Sequence, residues 1–200
     1  MNNIVEFPQP KNDRLRKAID LLGHHTADLA LAEFVRLIDQ GCDEAFSYAG
    51  HIYECGGRNV DRDHEKARFY YERSIERVGS VAAYLGLIRI YYRGLGVERD
   101  FCKALKYCKI LSEDADHPYA NFYIGKMYME GNCVSQDFDQ AKVYFKKAWD
   151  GGYVFGLGYL GIAEQKSGRW LRGFWYRVRA GFVAYGIARR NIKDARIREL

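Results

Sequence analysis

Apolar side chains recur along most of this chain every three or four residues, the spacing that gathers them on one face of a helix. Leu15, Ala18, Ile19 and Leu22 predict a helix over residues 12–22. Leu29, Ala30, Ala32, Phe34, Leu37 and Ile38 predict a second from about Thr26. Ala45, Ala49, Gly50 and Tyr53 form the next stripe, and Asp63 stands before a helix over residues 64–77. Ala83, Leu87, Ile88 and Tyr91 follow Ser80, which has the chemistry of an N-cap. Ala104, Tyr107 and Leu111 follow Asp100. Pro118 suits a first helical turn, where a missing N–H costs nothing. Beyond it lie Ala120, Ile124, Gly125 and Tyr128, then a helix behind Asp137 that Gly151 and Gly152 end. A last helix is expected over residues 169–189. No segment alternates cleanly at period two for long, so the fold expected is all-α.

These helices are copies of one another. Tyr128, Gly131, Val134, Asp137, Ala141 and Tyr144 fall on Tyr91, Gly94, Val97, Asp100, Ala104 and Tyr107 after a shift of 37 residues. Asp63, Ala67 and Tyr70 answer at the next shift. A period in the range of about 20–50 residues marks a solenoid of stacked units. Five helix pairs are expected, at about 12–41, 42–79, 80–116, 117–151 and 152–189. A loose leader at 1–11 and a polar basic tail at 190–200 flank them. The outer copies have drifted: Gly156 and Gly161 stand 36 residues after Ala120 and Gly125, and Glu164 and Ser167 replace the tyrosine and glycine.

Composition adds little, but charge and cysteine do change the picture. Two hundred residues with 3 Pro are enough for a sizeable core without a long linker. No uncharged apolar run reaches the roughly 20 residues that span a bilayer. The five cysteines, Cys42, Cys55, Cys102, Cys108 and Cys133, are irregularly spaced with no CxxC, and the first 20 residues lack an apolar signal core. Five free thiols in a reducing, cytoplasmic compartment are therefore expected. The net charge of +5 is uneven: from Lys166 onward ten basic residues face only Asp194 and Glu199. That asymmetry points to an anionic partner for the C-terminal region.

The pattern at Ala120, Gly125, Tyr128, Gly131, Val134, Asp137, Ala141 and Tyr144 resembles the Sel-one-like repeat, a relative of the tetratricopeptide repeat with a longer internal loop. The resemblance covers about residues 30–180. It implies an α-α superhelix, a tetratricopeptide-like solenoid of antiparallel helix pairs. It further implies a non-catalytic adaptor or scaffold that holds a protein or peptide in its concave groove, and in bacteria a link to signalling, secretion or envelope and exopolysaccharide assembly. In such pairs the first helix of each unit lines the groove. That would place His51, Arg89 and Lys126 in a cationic ladder, with Glu54, Tyr92 and Met129 one turn on and Ser47, Leu85 and Phe122 one turn before. An extended or helical partner carrying acidic residues would fit them.

Other motifs are weaker. Gly156, Gly158 and Gly161 match GxGxxG, but a dinucleotide site needs a strand before it, and here the motif falls inside a predicted helix. His24 and His25 read as turn residues. No Cys/His spacing suits a metal, no nucleophile–base spacing suits catalysis, and no cofactor is expected. Trp170, Phe174, Trp175, Val178 and Phe182 alternate with Arg169, Arg172, Arg177 and Arg179. The favoured reading is that the aromatics cover the open end of the stack while the arginines face water. The other is a peripheral membrane contact, at the inner face of the membrane, through Arg169, Trp170, Arg172, Trp175, Arg177 and Arg179. Nucleic acid is not expected, because basic residues do not recur along the body.

Overall fold

The structure, a computed structural model, describes residues 13–23 and 26–190. The expected leader, His24, His25 and the tail beyond Arg190 lie outside the described residues. Among those residues there are ten helices and no strand. They are α1 (Asp13–Gly23), α2 (Ala27–Asp39), α3 (Ala45–Cys55), α4 (His64–Val78), α5 (Val81–Arg93), α6 (Phe101–Ala115), α7 (Pro118–Glu130), α8 (Phe138–Asp150), α9 (Phe155–Lys166) and α10 (Trp170–Arg190). The helices form two compact units. The first runs to Tyr107 and holds α1–α5 with the opening of α6; the second starts at Cys108 and holds the rest.

The helix ends follow local chemistry. The carboxylates of Asp63, Asp100 and Asp137 accept backbone N–H bonds from Lys66, Lys103 and Gln140, each at 2.9 Å. These orphan donors suit an anion at the positive end of the helix dipole. Ser80 holds the N-cap position without capping, because its hydroxyl is buried with no partner. Pro118 opens α7 as expected. Gly94 and Gly131 close α5 and α7 in the left-handed conformation, at φ 71° and 75°, a turn that costs glycine little.

Within each central repeat a tyrosine of the first helix stacks on one of the second: Tyr53 on Tyr70, Tyr91 on Tyr107 and Tyr128 on Tyr144, with ring centroids 5.5, 6.1 and 5.7 Å apart. The next residue along points inward. Tyr71 is buried against Gly50 of α3 and Gly86 of α5, and Phe145 against Gly125 of α7. Any side chain at Gly86 would put its Cβ 2.2 Å from the Tyr71 ring. In the first unit Leu15, Ala18, Phe34, Leu37, Tyr48 and Ile52 complete one apolar cluster.

The cysteines depart from expectation. Cys42, Cys55 and Cys108 are free thiols, whereas Cys102 and Cys133 are disulfide-bonded. Cys102 lies in the first turn of α6, and Cys133 lies in the turn after α7 at φ 63°. Irregular spacing does not report which sulfurs a fold brings to a bonding partner. With two of the five oxidised, the argument for a reducing compartment loses its premise, because disulfides persist where conditions are oxidising.

Candidate functional site

The nine residues expected to line a groove separate by burial. In the first unit Ser47, Glu54 and Leu85 are buried, while His51, Arg89 and Tyr92 reach the surface in part. In the second unit Phe122 and Met129 are buried, and Lys126 is part-exposed. Side chains at i and i+4 share a helix face, but which of them reach water depends on the neighbouring helix.

Arg89 of α5 is already engaged inside the first unit. Its Nε and Nη2 donate to the two carboxylate oxygens of Glu54 in α3, each at 2.6 Å, and the Tyr71 hydroxyl of α4 donates to Oε2 at 2.6 Å. One buried carboxylate therefore ties three helices. Burial alone would raise the Glu54 pKa, but the Arg89 fork and charge, with the Tyr71 hydroxyl, hold it below the ordinary carboxyl value. A carboxyl with a depressed folded-state pKa contributes stability that is complete above its unfolded pKa and is lost as pH falls through the folded one. Wild-type protein should therefore lose thermal stability as pH drops below about 4.5. Glu54→Gln should flatten that part of the profile, measured by melting at several pH values; an unchanged slope would count against the assignment.

His51 and Cys55 lie beside this cluster. The Cys55 sulfur is 3.7 Å from Nδ1 and 3.8 Å from Nε2 of His51. Burial lowers the His51 pKa and raises that of the Cys55 thiol, with Glu54 adding to the second effect. A thiol pushed up is a poor nucleophile near neutral pH, so the pair does not form an activated cysteine.

In the second unit Lys126 of α7 projects among aromatic rings. Its ammonium lies 6.0 Å from the Tyr123 centroid and 5.9 Å from that of Tyr159 in α9, and 3.9 Å from Glu130. Tyr119, Phe122, Tyr153 and Phe155 pack edge-on and tilted around the same place. Of this group the sequence reading singled out only Lys126 and Phe122. Tyr159 stands 36 residues after Tyr123, but Gly86 holds that place one repeat earlier, so the period of the central repeats does not mark these tyrosines.

The GxGxxG glycines lie in or at the start of α9 and serve packing. A Cβ at Gly156 would meet the Trp149 nitrogen at 2.6 Å, and one at Gly161 would meet the Gly173 carbonyl oxygen at 2.8 Å. Glu164 of α9 is buried and gathers cations from both sides. Lys142 of α8 stands at 3.8 Å, Arg169 at 3.5 Å and Arg172 of α10 at 3.3 Å. The glutamate that broke the repeat pattern is thus the anchor of the last helix.

That helix is turned opposite to the favoured expectation. Gly173 faces α9, Ala180 approaches Gly158, and the Arg177 stem lies over Gly161. Trp170, Leu171, Phe174, Trp175, Phe182 and Tyr185 are 44–72% exposed. The aromatics singled out as a cover for the stack point to solvent, because the small residues and the Glu164 network take the face against α9.

Among the described residues, no helix is long and apolar enough to cross a membrane, and no group of three or more His, Cys, Asp or Glu could hold a metal ion.

Comparison with known proteins agrees with this architecture. A family model described as "Sel1 repeat" matches residues 45–77, 80–115 and 118–153, more than half of the chain. Repeats of that family generally mediate protein–protein interaction. A curated relative, the ERAD-associated E3 ubiquitin-protein ligase component HRD3B of Arabidopsis thaliana, is 28% identical over 134 residues. The match takes in 66% of this chain and 20% of that protein. A Sel1 repeat protein from Oxalobacter formigenes superposes with a TM-score of 0.70 at 20% identity, over 84% of this chain and 71% of the other. The uropathogenic Escherichia coli protective antigen c5321, which displays an SLR fold, gives 0.61 at 23% identity, over 84% of this chain and 40% of its own. At these identities the two structures speak for the fold.

Proposed function

Because the chain belongs to the Sel1 repeat family, we propose that it is a non-catalytic protein-binding module that seats an extended or helical acidic segment of a partner on the first-helix face of α7 and α9. The observation that carries this reading is Lys126, part-exposed among Tyr123, Tyr159 and Glu130. A cation set in aromatic side chains is the composition of an interface anchor: the rings supply rigid contact area, and the ammonium selects a carboxylate. Arg89, the middle residue of the expected cationic ladder, is committed to Glu54 and enters this reading only as a structural residue.

The test compares wild type with Lys126→Ala. Cross-linking and affinity capture from the source cells identify the partner, and calorimetry measures its binding. Lys126→Ala should weaken the complex by roughly 2 kcal/mol, while its melting temperature stays within a degree or two of wild type. Unchanged affinity would move the partner site off this face.

A further inference from the structure

Among the described residues, the outward face of α10 differs from the other helix surfaces in gathering six exposed large hydrophobics on one helix. At about 100° per residue, Leu171, Phe174, Trp175, Val178, Phe182 and Tyr185 fall within one sector of about 100°. That sector lies opposite the face that holds Gly173 and Ala180 against α9. Arg172 and Arg179 lie along one flank, and Arg177 lies along the other. Trp175, Val178, Arg179, Phe182 and Val183 line a shallow groove on this surface. No acidic residue occurs between Glu164 and Asp194, while eight basic ones do. We propose that this face docks on the surface of an anionic lipid bilayer, with the aromatic sector in the acyl boundary and the flanking arginines at the phosphates.

Three features favour a bilayer over another occupant. First, Leu171 and Val178 occupy the centre of the sector, the aromatics lie to either side of them, and the cations lie along the flanks. A helix lying in an interface sorts its side chains in that way, with arginine stems reaching back to the headgroups. Second, the residues that let helices of this chain pack closely are small: Gly50, Gly86, Gly125, Gly156, Gly161 and Gly173. The outward sector of α10 offers a tryptophan, two phenylalanines and a tyrosine instead, so it is not shaped like the other helix–helix contacts. Third, a further repeat would need a buried uncharged side chain where Tyr71, Cys108 and Phe145 sit. The register that puts Tyr176 at the place of Tyr144 puts Arg177 there, exposed and bonded to Gln165 at 3.1 Å. Among the described residues Arg179 has no carboxylate partner, so its charge is available to a phosphate.

The test is flotation of the full chain with vesicles of phosphatidylcholine alone and of phosphatidylcholine and phosphatidylserine in equal parts. Two of the three tryptophans lie on α10, so tryptophan emission gives a second readout. Wild type should float with the anionic vesicles and not with the neutral ones. Its emission should shift to the blue, and binding should fall several-fold between low and high salt. Trp175→Ser with Phe182→Ser should reduce partitioning at least tenfold. Because both side chains are exposed, the melting temperature should not change. Arg179→Gln should weaken binding to a smaller degree. Three results would overturn the proposal: absence from the anionic vesicle fraction, flotation undiminished by the double substitution, or a dimer in sedimentation that the double substitution dissociates. The last would assign the face to a second copy of the chain.

Discussion

Arg89→Ala is expected to destabilise the first unit by about 3–5 kcal/mol, the cost of removing one partner from a buried ion pair. The Glu54 side chain is 8% exposed and that of Arg89 is 17% exposed. Without the guanidinium, the carboxylate keeps only the Tyr71 hydroxyl and must either stay charged in the interior or take up a proton at neutral pH. Either route costs free energy that the folded state does not recover. The same change removes a link between α3, α4 and α5, so the loss should appear as a drop in melting temperature of roughly 10 °C or more. Replacing both partners, Glu54→Leu with Arg89→Leu, leaves no orphaned charge and should recover much of the loss. The double-mutant cycle from thermal and urea unfolding measures the coupling. A loss below about 1 kcal/mol for Arg89→Ala would mean that water reaches Glu54.

Gly173→Ala gives the second large effect, and its sign opposes helix propensity. Alanine in a helix interior is favoured over glycine by about 1 kcal/mol. At Gly173, however, the new Cβ would lie 2.4 Å from the Gly161 carbonyl oxygen and 2.9 Å from the Gln165 nitrogen. Both are backbone atoms of α9 and cannot rotate away, so the two helices must separate. Separation would also stretch the contacts of Arg172 with Glu164. A net destabilisation of about 1–3 kcal/mol is expected, the usual range for overpacking. Gly181 and Gly186 on the same helix have nothing within 4 Å of an added Cβ. Gly181→Ala should therefore be neutral or stabilising by a few tenths of a kcal/mol, up to about 1. If Gly173→Ala and Gly181→Ala moved the melting temperature in the same direction, the packing of α10 on α9 described above would be wrong.

The sequence by itself determined the helix pairs, their period and their family. Each depends on local spacing: small residues and tyrosines at fixed intervals, aspartate before a helix, glycine after it. The Asp63, Asp100 and Asp137 caps and the three tyrosine stacks follow from those intervals, because a repeat of 37 residues places equivalent side chains in equivalent settings. The tertiary structure alone decided which polar residues are partners. His51, Arg89 and Lys126 hold equivalent positions, but Arg89 meets Glu54 and Tyr71 from two other helices, whereas Lys126 meets aromatic rings. Those neighbours break the repeat, so periodicity could not identify them. The orientation of α10 was decided in the same way. Its composition allowed the aromatics to face inward or outward, since both faces carry apolar residues. The close approach of Gly173 to Gly161 and the pull of buried Glu164 on Arg172 settled the rotation and left the tryptophans in solvent.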